Sequence, residues 1–421
     1  MYIIVFILSI IVFVYGDPGK APLVQLNDGH TMPSIALGTW LGNSSTPPHG
    51  RIAPVGYNTE QAVMWALEAG YRHIDTAWSN HVEDQVGRAV KTVVDAYNLL
   101  HEVTTTPMIC DAACYLKRFK KKIERSGSSM VLPVSRNELF ITTKLWNDAH
   151  ARSAVVPALR ASLAQLQLSY VDLYLMHWPL GQFANGSYDS THYLETWRGM
   201  MDAQARNLTR SIGVCNFNQV MLENIRVHKL RQPAVLQIEW NINLQQPGLL
   251  AYCRQHNITV MGYTPFGALM DKRRADSPTR IDDPLLTKMA AKYGKKVQQI
   301  LLRYAVEMGV IPVPKSITST RIFENIDIFD FKLEEADKWI LRNFGRGFRS
   351  VPQLEWSDHP FYPFENMQEY PPTTTTASTT TASTTSTTVT TQASTPSTQQ
   401  VISEVDINDT SARMNFRDIK I

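Results

Sequence analysis

The chain has 421 residues, 44% of them hydrophobic, and its 41 Lys and Arg nearly balance 38 Asp and Glu for a net charge of +3. This length and apolar content suit one large domain with extensions. The charge balance names no acidic partner, and nucleic-acid recognition has no support beyond a single basic run, LKRFKKK at 116–122, which reads first as a solvated helix face.

Taken in chain order, residues 1–16 (MYIIVFILSIIVFVYG) form an apolar stretch of secretory length with small Gly16 at a cleavable position. They are expected to be a signal peptide. The stretch is short for a membrane span, so no stable membrane insertion is expected after cleavage, an uncleaved anchor being the alternative. The folded domain is expected over residues 17–366 and opens with a β-hairpin. Short apolar runs follow at Ser34–Leu37, HID ending at Asp75, LFITTK ending at Lys144, VDLYLMH ending at His177, Ser211–Val214, Val235–Glu239, Thr259–Tyr263 and Gly309–Val313. Longer segments with helical spacing separate them, such as Thr59–Gly70 and Ser153–Gln167. Buried strands alternating with amphipathic helices imply a parallel sheet wrapped by helices, and eight of them favour a closed (β/α)8 TIM barrel over an open sheet.

Two segments interrupt this rhythm. Residues 42–57 lengthen the loop after the first strand, on the face where chemistry collects in such barrels, whereas roughly 94–135 lie between the second helix and third strand, on the opposite face. The second holds Cys110 and Cys114, which could pair in an oxidising compartment, although their spacing on a helix is poor for a disulfide. No further ligands cluster there, so no metal site is expected. Cys253 reads as a buried helix residue. Five Asn-x-Ser/Thr sequons, at Asn43, Asn185, Asn207, Asn257 and Asn408, agree with a secreted glycoprotein. Residues 367–421 include a Thr/Ser/Ala/Pro stretch at 371–398 that cannot bury a core and reads as a disordered, mucin-like tail. Nothing after it forms the apolar tail of a GPI signal.

Polar residues that end barrel strands read as functional, which singles out Asp75, Lys144 and His177; the alternative is three unrelated core polars satisfied by backbone. No GxGxxG or GxxxxGK[ST] motif follows any strand, so a nucleotide would have to be held in another way.

These residues resemble the aldo-keto reductases, in particular the aldose and aldehyde reductase branch. The matching segments are LNDGHTMPSIALGTW (26–40), GYRHID (70–75), ELFITTKLW (138–146), DLYLMHWP (172–179), IGVCNFN (212–218), AVLQIEWN (234–241), GYTPFGAL (262–269) and IPVPKSITSTRIFEN (311–325). The resemblance implies a monomeric, NADPH-dependent reductase of small aldehydes and ketones. In the family a tyrosine protonates the product alkoxide, a lysine lowers its pKa, an aspartate orients the lysine, and a histidine positions the carbonyl. Lys144, Asp75 and His177 match the last three; the tyrosine position falls on Asn80. An amide polarises a carbonyl but releases no proton. Protonated His177, or His81 through a water, is a possible substitute donor, and a catalytically inactive nucleotide-binding barrel is the competing reading.

By the same resemblance Tyr263 stacks on nicotinamide, while Asn216 and Gln237 hold its carboxamide. Cys215 stands where serine is usual, and Thr39 belongs to the same cofactor set. Thr264, Pro265, Phe266 and Gly267 cover the pyrophosphate. Lys315, Ser316, Ile317, Thr318 and Arg321 surround the adenosine 2′-phosphate, which favours NADP over NAD, and Glu324 and Asn325 read adenine. Trp40, Trp146 and Trp178 match the walls of the substrate pocket, though single tryptophans so placed also occur in cores. The loop after HWP is shorter than in aldose reductase, so specificity does not transfer.

Overall fold

The computed structural model describes residues 19–40, 59–105, 133–183, 185–271 and 276–364. The signal segment, the 42–57 insertion, Cys110 and Cys114, the basic run, Asn43, Asn408 and the 367–421 tail lie outside them. A hairpin comes first: β1 (Leu23–Gln25) pairs antiparallel with β2 (Thr31–Pro33), Val24 opposite Met32. Eight parallel strands then form one sheet: β3 (Leu37–Gly38), β4 (His73–Asp75), β5 (Phe140–Leu145), β6 (Val171–Met176), and, after a small ribbon of β7 (Gly181–Gln182) and β8 (Tyr188–Asp189), β9 (Thr209–Cys215), β10 (Val235–Glu239), β11 (Thr259–Tyr263) and β12 (Val310–Val313). The sheet closes on itself. Ala36 N donates to Pro312 O at 3.1 Å and Gly38 N to Pro314 O at 2.9 Å, and Gly38 bridges Lys315 in parallel register.

The expected eight-stranded barrel is therefore present, with several boundaries shifted: β5 runs on to Leu145, β6 stops at Met176 before His177, β9 spans Thr209–Cys215 and β12 begins at Val310. The first strand occupies Leu37–Gly38 rather than Ser34–Leu37, because Ser34 is still tied to the hairpin by its amide bond to Pro22 O. The helix after β4, α2 (Glu83–Thr105), runs 23 residues, so the segment expected as an insertion from Val94 begins as a continuation of this helix.

Alternation of side chains along each strand sorts the core into two layers. Leu173, Leu175, Val235, Met261, Ile311 and Val313 pack together with Leu26 and Met32 of the hairpin region. Ile74, Ile141, Tyr174, Ile212, Val214, Leu236 and Ile238 belong instead to the larger cluster shared with the helices. Helices α1 (Thr59–Ala69) and α3 (Arg152–Leu166) show the spacing that produces this: α1 buries Ala62, Val63, Ala66 and Leu67, and α3 buries Val155, Val156, Leu159, Leu163 and Leu166. The remaining helices in chain order are α4 (Tyr193–Ala205), α5 (Gln219–Val227), α6 (Pro247–Gln255), α7 (Pro284–Tyr293), α8 (Val297–Glu307), α9 (Ser319–Ile326) and α10 (Glu335–Arg342). Cys253 is fully buried in α6, as its sequence context indicated. No helix among the described residues is long and apolar enough to cross a membrane.

Gly87 lets α2 touch the end of α3. A β-carbon there would stand 2.5 Å from the Leu166 carbonyl oxygen and 2.8 Å from that of Gln165, neither of which is a flexible side-chain tip. Gly87→Ala is expected to lower the unfolding free energy by about 1–3 kcal/mol through overpacking. A urea midpoint that rises, as for Gly→Ala in an open helix, would contradict this close approach.

Candidate active site

The C-terminal ends of the strands bring together residues far apart in sequence. Asp75 ends β4, Lys144 is the penultimate residue of β5, and His177 follows β6. Lys144 Nζ donates to Asp75 Oδ1 at 2.6 Å and to the Thr76 carbonyl at 2.9 Å, with both charged residues 5% exposed or less. Gln237, from β10, donates to the other Asp75 oxygen at 2.8 Å, so the carboxylate is bound on both sides. Glu83, in the first turn of α2, lies near Lys144 and accepts the Thr143 hydroxyl at 2.5 Å. Burial raises its pKa, against hydrogen bonds and the Lys144 charge that lower it.

A second chain of hydrogen bonds crosses the same face. The Tyr263 hydroxyl donates to Asn216 Oδ1 at 2.7 Å, and Asn216 Nδ2 donates to the His177 carbonyl at 3.0 Å. Asn216 has φ 60°, a left-handed conformation that Asn tolerates, and this turns its amide inward at the end of β9. Burial first, then the negative Glu239, holds the Tyr263 phenol protonated. The Cys215 thiol, pushed up to about 12 mainly by burial, is likewise neutral. It faces Gln237 Oε1 at 3.9 Å.

Asn80 lies in a short 3-10 turn, Trp78–Asn80, and donates to Thr39 Oγ1 at 3.1 Å. Thr39 is buried, its hydroxyl within 2.9 Å of the Thr76 hydroxyl. His81 closes the turn with φ 54° and is exposed. His177 is partly exposed, but the heavy atoms packed around it and the nearby Lys144 hold its pKa well below the ordinary imidazole value. A protonated His177 is therefore not the resting form, and that route to a proton donor loses its support. Ser79 Oγ stands 3.4 Å from His177 Nδ1, a polar neighbour that the motif spacing did not pick out although it adjoins Asn80.

Around these groups stand aromatic rings. Trp146 meets the His177 ring edge-on at 5.2 Å, while Trp178 is 3% exposed and packs against Trp356 at 5.0 Å. Trp40 is 42% exposed. Trp356 also belongs to this wall, 6.1 Å from Trp146. Only the aromatic richness of WSDHPFYPF (356–364) could have signalled it, since its ring contacts are with Trp146 and Trp178, far away in sequence. The segment carrying it is anchored by Glu239, whose buried carboxylate accepts Ser350 N at 2.7 Å and Val351 N at 3.0 Å.

On the opposite side of the barrel mouth, Thr264, Pro265, Phe266 and Gly267 form a turn closed by Gly267 N to Thr264 O at 2.8 Å. Lys315, Ser316, Ile317 and Thr318 lie between β12 and α9, and Arg321, Glu324 and Asn325 follow on α9. Lys315 and Arg321 are exposed and have no acidic partner among the described residues. Partial desolvation pulls the Lys315 ammonium below its ordinary value. Two exposed cations beside the Ser316 and Thr318 hydroxyls at a helix start fit a phosphate dianion. Glu324, by contrast, is paired with Lys296 at 2.5 Å.

The aldo/keto reductase family model matches residues 34–343, which contain every group named above except the strap around Trp356. The chain belongs to the aldo/keto reductase family. It is 42% identical over 345 residues to aldo-keto reductase AKR2E4 of Bombyx mori, covering 82% of this chain and 99% of that protein. It is 36% identical over 368 residues to human aldo-keto reductase family 1 member A1, covering 82% and 99%. Among solved structures, AKR2E4 in complex with NADP is similar with a TM-score of 0.68 at 41% identity, covering 82% of this chain and 99% of that one. AKR2E5 complexed with NADPH gives 0.70 at 36%, covering 84% and 97%.

Two outcomes test this geometry. Removing one member of the buried pair, in Lys144→Met, is expected to destabilise the fold by about 3–5 kcal/mol, because Asp75 is left charged and buried; a loss below about 1 kcal/mol would contradict a tight pair. For His177 the folded-state pKa is depressed, so the unfolded chain takes up a proton first as pH falls through about 6.5. The stability of wild type relative to His177→Gln should therefore decline below that pH, and a constant difference in urea unfolding would refute the neutral imidazole.

Proposed function

We propose that the protein is an NADPH-dependent oxidoreductase that reduces small aldehydes or ketones to alcohols, acting as a monomer, with turnover weakened by Asn80. The observation that carries this reading is the buried Lys144–Asp75 pair beside a neutral imidazole at the strand ends, together with the cations Lys315 and Arg321, which have no acidic partner among the described residues. The reduced nicotinamide would supply the hydride. Tyr263, Asn216 and Gln237 would hold its ring end, and Lys315, Ser316, Thr318 and Arg321 its 2′-phosphate. Neutral His177, with Ser79 beside Nδ1, is suited to donate from Nε2 and orient a carbonyl oxygen. Trp146 supplies an apolar wall.

Asn80 occupies the place where the family resemblance puts the proton-donating tyrosine. A positioned acid contributes about 10²–10⁴-fold, so its replacement slows the reaction without removing hydride transfer. We also propose a secreted glycoprotein. The composition of residues 1–16 supports it, and Asn185, Asn207 and Asn257 are all exposed.

The deciding experiment pairs NADPH titration by tryptophan fluorescence with a carbonyl turnover screen on wild type and Asn80→Tyr. Expected are NADPH binding in both and a gain of about 10²-fold or more in turnover for Asn80→Tyr. Binding with no turnover in wild type would favour an inactive nucleotide-binding barrel, and absence of binding would overturn both. Charge removal at Lys315 and Arg321 should weaken NADPH while leaving NADH nearly unchanged; an equal loss for both cofactors would contradict the 2′-phosphate assignment.

A further inference from the structure

A proton must reach the product oxygen, and the groups near the strand ends differ sharply in whether they can give one. The Asn80 amide cannot release a proton. The Tyr263 hydroxyl is spent on Asn216, and burial holds its proton in place. His177 is neutral, and the Cys215 thiol is buried and bound to its proton. Ser79 is a poor acid and has only a long contact to His177.

Lys144 is different. An ammonium has three N–H bonds. One is directed to Asp75 Oδ1 and one to the Thr76 carbonyl, and the third has no hydrogen-bond partner among the described residues. Asn80 is linked to this ammonium through two threonines: its amide donates to Thr39 Oγ1, the Thr39 hydroxyl meets that of Thr76, and the Thr76 carbonyl accepts from Lys144. We propose that Lys144 is itself the catalytic acid, its third N–H protonating the alkoxide beside Asn80; this rests on the carbonyl reduction proposed above.

The step balances without a further reagent. Hydride addition forms the new C–H bond and moves the carbonyl π pair onto oxygen. The Lys144 N–H bond then breaks with its electron pair remaining on nitrogen, the O–H bond forms, and the neutral amine is reprotonated from water after the alcohol leaves. The titratable groups that face Lys144 are Asp75 and His73 on β4, Glu83 on α2, His177 after β6 and Cys215 on β9. Asp75 must bear its charge unpaired while Lys144 is neutral, with the Gln237 amide still donating to it. A slow proton transfer, and so a slow enzyme, follows from this arrangement.

The test uses the full chain, with single-turnover oxidation of bound NADPH by 4-nitrobenzaldehyde and NADPH affinity measured independently by fluorescence. Lys144→Arg keeps a cation for Asp75 but cannot be deprotonated, so the rate is expected to fall about 10²-fold or more with NADPH affinity unchanged. Lys144→Ala is expected to regain rate with added methylammonium, and the gain should follow acidity across a series of small ammonium ions. A Lys144→Arg protein as fast as wild type, or a Lys144→Ala protein indifferent to every ammonium ion, overturns the assignment. Should the Lys144 variants fail to fold, Asn80→Tyr decides: placing a phenol next to the amine should displace the alkaline limb of the pH–rate profile, and an unmoved limb overturns it. A wild type that does not bind NADPH fails the reductase reading itself, a result distinct from any in which NADPH binds and only the Lys144 predictions fail.

Discussion

Everything at the barrel mouth depends on one seam. The first barrel strand is only two residues long, yet the Gly38 amide bonded to Pro314 O joins it to the end of the last. A β-carbon on Gly38 would lie 3.1 Å from Val313 Cγ1, so a bulkier residue would press on the seam where the strands meet. Closure turns eight strands into a ring whose C-terminal ends converge. It also makes Gly38 and Lys315, 277 positions apart, bridge partners across the seam. Thr39, next to Gly38, takes the Asn80 amide and Lys315 begins the exposed cationic segment, so the two ends of the proposed site adjoin at this join.

Within the ring, electrostatics is arranged around a single buried cation. Lys144 stabilises Asp75, lowers the Glu83 pKa against burial, and helps to keep His177 neutral. A buried pair of this kind adds little net stability over an apolar substitute, but it is costly to break and fixes geometry. Gln237 satisfies the second Asp75 oxygen and the Thr76 carbonyl a second N–H of Lys144, which helps two formal charges to be tolerated with so little exposure.

Much of this was legible in the chain. Strand ends could be read because apolar runs there give way to polar residues, and Asp75, Lys144 and His177 mark that change at three consecutive barrel strands. The helices α1 and α3 were legible for a similar reason, since their apolar positions recur on one face. The first strand was misplaced because Ser34, Ile35 and Ala36 are as buried as strand residues, while the Ser34 amide is still bonded to Pro22 O and regular pairing begins only at Leu37. Ser79, Glu83 and Trp356 were missed for a different reason: their roles come from partners supplied by other elements, and no local pattern encodes a contact between residue 146 and residue 356. The neutral state of His177 also depends on packing rather than on sequence neighbours.

Asn207 and Asn257 both have positive φ in the turns that lead from α4 into β9 and from α6 into β11. In each case the threonine two residues on already belongs to the strand, and Thr209 is 2% exposed with its hydroxyl bonded to the Ser211 carbonyl at 2.7 Å. An enzyme that must read this hydroxyl to modify Asn207 can do so only before β9 is built into the ring. On the proposed secretory route, sugar attachment and barrel closure would be competitors in time, and the fraction of molecules modified at Asn207 would record which of the two came first.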